Sequence, residues 1–533
     1  MKMIAKSPRL ILIAVVVLMV LAVSTYLICK SHLGISATVP EPDYWPTQGW
    51  QTSTPEEQGL DSAKLAQGLR QIKESGIPIH SLMIVRNGKV LLDATFYPYD
   101  GRSPHSVGSV TKSLTTTLIG IAVDQGRLHL ADKMISFFPD FTIANLDARK
   151  SEISIGDLAT MSSGLDCLYE PYEPTVQAME ASPDWIRFGL DLPVAYGPGT
   201  HWEYCGVGMH LLSGILERAV GMSPLEFARQ NLFEPLGIQG VVWPTDPQGV
   251  NLGAGNTRLY PADMAKIGFL YLHGGVWDGK QIVSRSWVEE SVKEQVARPG
   301  GDDYGYGWWS SVGDAGMSFF AEGNGGQVIN VNPGFNTVVV TTGGGFAYDD
   351  VVPYIIAAFL DPENPLPANP AGAAELQQVL AELLQPPSPR PVHPLPDIAA
   401  AISGKAFRLD ENPFGIENLT LTFVDSTNAT FQVTFTDGIQ SPLAAVGLDG
   451  VYRPTKGMNL DRAFHRFVDF QDLSVAARGQ WLDQETFLLE YDTIVNYYFY
   501  RLQMRFVGNR VSISAGEREG AARATFEGRM QTP

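Results

Sequence analysis

The chain has 533 residues, is 44% hydrophobic and 18% charged, and carries a formal net charge of −19. That apolar content supports more than one packed domain and excludes global disorder. The acidic balance excludes a nucleic-acid partner, whose phosphates need a basic face, and without HExxH, paired CxxC or clustered histidines the sequence offers no metal site.

Lys2, Lys6 and Arg9 precede an apolar run over residues 10–29, long enough to span a bilayer as one helix. Basic residues on its N-terminal side leave that end in the cytoplasm. Residues 1–30 are read as a signal anchor that makes the membrane a partner and leaves the body outside the cytoplasm; a cleaved signal peptide is the alternative, because Ala22-Val23-Ser24 offers small residues at suitable spacing. Cys29 lies in this run. Cys167 and Cys205 are either paired, as lone cysteines outside the cytoplasm can be, or two buried free thiols.

Residues 31–47 read as a tether. The pattern Thr54-Pro55-Glu56-Glu57 predicts a helix start, with the helix running to Gly76. Asn87-Gly88 between two apolar, β-rich runs predicts a hairpin. An apolar helix follows, opened by Ser109 and ending near Gly126. Residues 130–300 lean helical. A second β region covers 317–346, where Val338-Val339-Val340 reads as a buried strand, and residues 355–360 belong to a helix returning onto the sheet. Sheet residues thus come from both ends of a unit spanning 48–360, with a helical insertion between them: an α+β domain with a cleft. Prolines recur through 361–398, a linker interrupted by a helix at about 373–384. Residues 399–533 carry short alternating segments at 419–423, 430–435, 486–491 and 501–506, which predict an all-β sandwich or small closed barrel.

Ser109-Val110-Thr111-Lys112 is the single Ser-x-x-Lys of the chain. Residues three apart on a helix share a face, so the Lys112 amine can reach the Ser109 hydroxyl. The helix N-terminus adds positive potential where negative oxygen develops. That is the pattern of an activated nucleophile. Tyr204 lies on a predicted loop just before a second helix, and a nearby ammonium such as Lys112 would have to lower its pKa for it to act as a base. Gly323-Asn324-Gly325-Gly326 precedes a predicted strand, and its glycines permit close backbone approach to a substrate or an oxyanion.

In this order and spacing the three segments resemble the serine β-lactamase and penicillin-binding-protein superfamily. The likeness is greatest to the branch of class C β-lactamases, family VIII carboxylesterases and 6-aminohexanoate-dimer hydrolases. It covers residues 48–360 and extends to the stretches at 155–165, 232–238 and 304–309. It implies a serine hydrolase without a cofactor, acting on a small ester, amide or peptide through an acyl-enzyme. Ser109 would be the nucleophile, Lys112 the base and Tyr204 the proton shuttle. The backbone of Ser109 and Asn324 would form the oxyanion hole, and Gly323, Gly325 and Gly326 would line the substrate. A Cys167–Cys205 bridge would fix the Tyr204 loop. Two residues depart from the pattern. Gly206 stands where the second motif often has asparagine, and Glu322 stands near the lysine place of the third. A glutamate there repels a substrate carboxylate, so weak β-lactam turnover is expected, with D-amino-acid peptidase or β-lactamase activity, or a non-catalytic receptor, as alternatives. The C-terminal β region resembles the lipocalin-like domains attached to some of these hydrolases.

Overall fold

The computed structural model describes residues 39–169, 173–298, 300–313, 316–460, 473–518 and 523–531. The apolar run at 10–29, read as a membrane anchor or signal, lies outside them. Among the described residues no helix is long and apolar enough to cross a membrane.

Eight strands form the first sheet: β1 (Gln51–Thr52), β2 (Ile79–Arg86), β3 (Lys89–Thr95), β4 (Asp303–Tyr304), β5 (Trp309–Gly313), β6 (Gly316–Gly323), β7 (Gln327–Asn332) and β8 (Thr337–Gly343). Their order in space is β1-β3-β2-β8-β7-β6-β5-β4. The β2–β3 hairpin turns on Asn87 and Gly88, both left-handed at φ 48 and 73, the pairing that a two-residue turn of this hand requires. β2 then pairs with β8 from the far end of the domain, so the sheet is completed only after the insertion returns. The edge strand β4 and its neighbour β5 are too short and irregular to have shown in the sequence pattern.

The helices that position the site are α1 (Ser62–Ser75), α2 (Val110–Asp124), α3 (Gly206–Val220), α4 (Pro261–Leu272) and α5 (Pro370–Leu383). Side chains alternate across a strand, and β8 uses both faces. Val338 and Val340 join the large core with α2, α3 and α4, while Val339 joins a second core with α1. A strand covered on both sides reads as a continuous apolar run. The helix predicted from Thr54 begins later than expected. Glu56–Gln58 is one 3-10 turn, Gly59 takes φ 78 with no room for a side chain against Asp361 O, and Asp61 caps α1 at the N–H of Lys64. The helix expected at 355–360 lies earlier in the chain, Val352–Ile356, so only its last two residues fall in the expected stretch. Within the proline-rich stretch, α5 lays Leu376, Val379 and Leu383 into the core it shares with α1.

The C-terminal strands are β9 (Lys405–Leu409), β10 (Ile416–Phe423), β11 (Asn428–Phe435), β12 (Ala444–Gly447), β13 (Arg453–Gly457), β14 (Leu473–Trp481), β15 (Thr486–Asp492), β16 (Phe499–Val507), β17 (Arg510–Glu517) and β18 (Arg523–Met530). Nine of them run β12-β11-β10-β9-β18-β17-β16-β15-β14 and close where Val446 of β12 meets Ala477 of β14; β13 pairs outside the ring with β14. The region is therefore a barrel rather than a sandwich. Leu502, Met504 and Phe506 point into it while Arg501, Gln503 and Arg505 face out, the alternation of a closed sheet with a filled interior.

The barrel packs onto the first domain beside its cleft. Val495 O accepts from Ser106 N at 2.9 Å, Tyr97 donates its hydroxyl to Tyr452 O at 2.5 Å, and Arg518 donates to Gly344 O.

Candidate active site

Residues 105–109 climb from a short strand pair into α2. His105 pairs with Leu259, Val107 N donates to Thr257 O at 2.8 Å, and Val110 N donates back to Val107 O. Thr111 Oγ1 donates to Gly108 O at 2.7 Å and accepts from Thr257 N at 3.1 Å. This small network holds Ser109 at the N-cap of a helix buried on every side from Val110 to Ala122, as a core helix is.

Lys112 is 3% exposed. Its Nζ lies 2.8 Å from Ser109 Oγ and 2.8 Å from Ala254 O. Burial lowers the amine below its ordinary value, against the raising influence of Glu173 and Tyr169. As an ammonium it donates to the hydroxyl; as a neutral amine it can accept the hydroxyl proton.

Tyr204 sits on the loop before α3, with its ring 4.7 Å from Lys112 Nζ and stacked on Trp309 at 6.4 Å. Glu203 N donates to Met161 O at 2.8 Å, Cys205 Sγ caps α3 at Gly208 N, and a disulfide joins Cys205 to Cys167. The expectation that Lys112 lowers the Tyr204 pKa is not met. Burial first, then the neighbouring Glu173 carboxylate, push the phenol well above its ordinary value, opposed by a hydrogen bond with Ser109. Tyr204 is thus a proton-bearing phenol at neutral pH.

The end of β6 abuts the Ser109 loop. A Cβ on Gly323 would stand 2.7 Å from Ser109 N and nearer still to Val107 O; one on Gly108 would stand 3.3 Å from Asn324 N. Among the described residues neither Ser109 N nor Asn324 N is engaged by a turn or loop hydrogen bond. The buried Gln327 clamps the turn, donating to Asn324 O at 3.0 Å and to Gly343 O at 2.7 Å. Side chains at Gly325 and Gly326 would run into Tyr497 and Phe346, respectively, so close packing accounts for both glycines.

Two cavities open on Ser109 and share Tyr169, Glu173 and Asn324. The outer one, about 750 Å³, is lined by Tyr204, Trp202, Trp309, Glu203, Glu322 and Arg298. The inner one, about 320 Å³, passes Lys112, Asn256 and His210 and is walled on the far side by Tyr497, Tyr498 and Glu517 of the barrel. The sequence reading found Ser109, Lys112, Tyr204, Glu322 and Asn324, and the structure brings all five to these cavities. It missed Arg298, whose guanidinium lies 4.3 Å over Trp202 and 4.8 Å over Trp309. It also missed Tyr169, Glu173, Asn256 and the barrel residues. The left-handed Asn256, φ 69 after Gly255, was the one of these with a local signal.

The family model described as Beta-lactamase matches residues 63–355. A 6-aminohexanoate-dimer hydrolase of Paenarthrobacter ureafaciens is 25% identical over 288 residues, 49% of this chain and 71% of that protein. Penicillin-binding protein 4 of Amycolatopsis lactamdurans is 27% identical over 293 residues, 45% of this chain and 72% of that protein. The solved octameric penicillin-binding protein homologue of Pyrococcus abyssi superposes with a TM-score of 0.46 at 17% identity, over 86% of this chain and 98% of that one. The match of the family model across more than half of the chain decides the assignment: this protein belongs to the Beta-lactamase family of serine hydrolases.

Proposed function

We propose that the protein cleaves an ester or small amide through an acyl-enzyme at Ser109. The observation that carries this reading is the 2.8 Å approach of Lys112 Nζ to Ser109 Oγ at the wall of two open cavities. Lys112, its amine lowered by burial, takes the hydroxyl proton as Ser109 Oγ bonds to the substrate carbonyl carbon. The N–H groups of Ser109 and Asn324 stabilise the oxyanion, each such donor contributing about 3–4 kcal/mol in acyl transfer. The bond to the leaving group then breaks, and Tyr204 hands that group a proton and recovers one from Lys112. Water completes the cycle by the reverse route: it loses a proton to the base, attacks the acyl carbon and releases Ser109. The outer cavity lies on the Tyr204 side, so it receives the leaving group, and the acyl group lies in the inner cavity.

Glu203 and Glu322 outnumber Arg298 on the outer walls, which disfavours a substrate carboxylate near the scissile bond and keeps β-lactam turnover weak. The Cys167–Cys205 disulfide supports a location outside the cytoplasm, where such bonds persist. A fluorophosphonate probe tests the assignment. Labelling of the wild type that is lost in folded Ser109→Ala supports it; labelling retained in that variant, or absent from the folded wild type, rejects it. Short p-nitrophenyl esters turned over far faster than a chromogenic cephalosporin complete the expected picture.

A further inference from the structure

The turn between β15 and β16 lies against the first domain instead of in solvent, where connecting turns normally run. Thr493, Ile494, Val495 and Asn496 are all buried. The turn is also closed on itself. Thr493 N and Oγ1 both donate to Tyr498 O, at 3.0 and 2.6 Å, Asn496 N donates to Thr493 O at 2.7 Å, and Asn496 Oδ1 accepts from Tyr497 N at 2.8 Å. A turn braced in this way carries the position of the barrel to whatever it touches, and it touches both segments of the proposed oxyanion hole.

On one side Ser106 N, just ahead of Ser109, donates to Val495 O at 2.9 Å. On the other, a Cβ on Gly325, the residue after Asn324, would stand 2.4 Å from Tyr497 Cβ. Arg518 supplies a third point. It donates to Gly344 O, with its guanidinium 3.9 Å over the Phe499 ring. From there the hold reaches the Asn324 turn by two routes. Gly345 N donates to Gly325 O at 3.1 Å. Gln327, already bonded to Asn324 O, donates to Gly343 O at 2.7 Å and accepts from Gly343 N at 3.2 Å.

The Asn324 turn needs such support. Gly325 and Gly326 are both left-handed, φ 85 and 89, and glycine has the widest backbone freedom of any residue. An oxyanion donor works because it is fixed before the charge develops, and two adjoining glycines cannot fix the Asn324 N–H by themselves. We infer that the barrel holds the oxyanion hole in register, with Tyr497 and Arg518 as positioning residues that set the Asn324 turn against the Ser109 loop. The inference rests on the hydrolase reading and the oxyanion assignment above. Neither residue takes part in the chemistry; each acts through the Asn324 N–H, and the all-β domain thereby gains a part in catalysis.

Paired p-nitrophenyl acetate and p-nitrophenyl thionoacetate provide the test. They share acyl chain and leaving group, but in the second the carbonyl oxygen is sulfur, a weak hydrogen-bond acceptor. The ratio of their kcat/KM values therefore reads what the two N–H groups add to attack by Ser109. The wild type is expected to favour the oxygen ester well beyond the preference of hydroxide in free solution. In Tyr497→Gly and in Arg518→Met the ratio falls by about tenfold or more, a part of the roughly 100–1000-fold that a whole oxyanion donor supplies. Tyr497→Phe keeps the contact with Gly325 and keeps the ratio. A ratio taken within one variant is insensitive to its folded fraction and to any equal loss of rate on both esters, so a merely structural role leaves it unchanged. Arg518 is only half-buried, and its variant decides the matter should Tyr497→Gly not fold. A wild-type ratio in Arg518→Met, or equal losses on the two esters in either variant, overturns the inference while leaving the hydrolase intact. A wild type that discriminates no better than hydroxide removes the oxyanion assignment and this inference together, with labelling of Ser109 by fluorophosphonate still upholding the hydrolase. Absence of both turnover and labelling sinks the hydrolase reading itself.

Discussion

Gly323→Ala is the sharpest perturbation the structure offers. The added methyl would stand 2.7 Å from Ser109 N and closer to Val107 O, against about 3.4 Å for an ordinary contact between such atoms. Both neighbours are backbone, and neither can swing aside as a side-chain tip would. Either β6 or the loop ahead of α2 has to move by the better part of an ångström. An overpacked core of this kind costs about 1–3 kcal/mol, or a fall of several degrees in Tm for a domain of this size, at about 2–4 °C per kcal/mol. The catalytic cost is greater, because the two N–H groups proposed for the oxyanion lie on the two segments forced apart. A misplacement of about 1 Å can cost about 100-fold. The assay pairs the fluorophosphonate labelling rate and ester kcat/KM with a thermal melt. Gly313→Ala is the control, since among the described residues a methyl there has nothing within 4 Å. A Gly323→Ala protein that melts a few degrees low and has lost about two orders of magnitude in rate fits the argument. One that labels at the wild-type rate refutes the proposed oxyanion geometry.

Three further outcomes follow from other parts of the molecule. Burial lowers the Lys112 amine below its ordinary 10.5, and the base must be neutral, so the labelling rate should rise with pH through that lowered value; a rate that stays flat from about pH 6 to 10, or a rise kept by the permanently charged Lys112→Arg, contradicts the role. Reducing the Cys167–Cys205 bridge, which closes a sequence separation of 38, should remove up to about 4 kcal/mol of stability on the chain-entropy estimate, read as a lower melting temperature; an unchanged melt in reductant argues against a stabilising bridge. Burial pushes the Asp492 carboxyl up to about 7 against the pull of Arg518 and Arg478. A raised folded pKa means that the carboxyl's contribution is fully present below its unfolded value and is lost as pH rises through about 7. Asp492→Asn should therefore gain stability relative to wild type between pH 5 and 8, and parallel melting curves across that range would exclude the titration.

Much of both domains was legible because the signals are local. Asn87-Gly88 fixes a left-handed two-residue turn wherever it stands between strands. The alternation of Arg501 to Phe506 survives intact in β16. Ser109 and Lys112 are three residues apart on one helix, and helix geometry alone brings them together. The delayed start of α1 was not legible, because it depends on Gly59 fitting against Asp361, a residue some three hundred positions away. The shift of Tyr204 was illegible for a related reason: its pKa is decided by burial and by Glu173, which neighbours it only in space.

The sequence by itself determined which groups are proposed to carry the chemistry, a hydroxyl, an amine and a phenol on helix starts and a glycine turn at a strand end, and it held an apolar alternation that had to become a β domain. Tertiary structure alone decided what surrounds them. Glu173 occupies the gap at Gly206, Gln327 clamps the Asn324 turn, and a closed barrel sets Tyr497, Tyr498 and Glu517 against the cavity of a different domain. Periodicity and turn chemistry act over a few residues and can be read along the chain. The charge and shape of a cavity are sums over segments that meet only when the chain is folded.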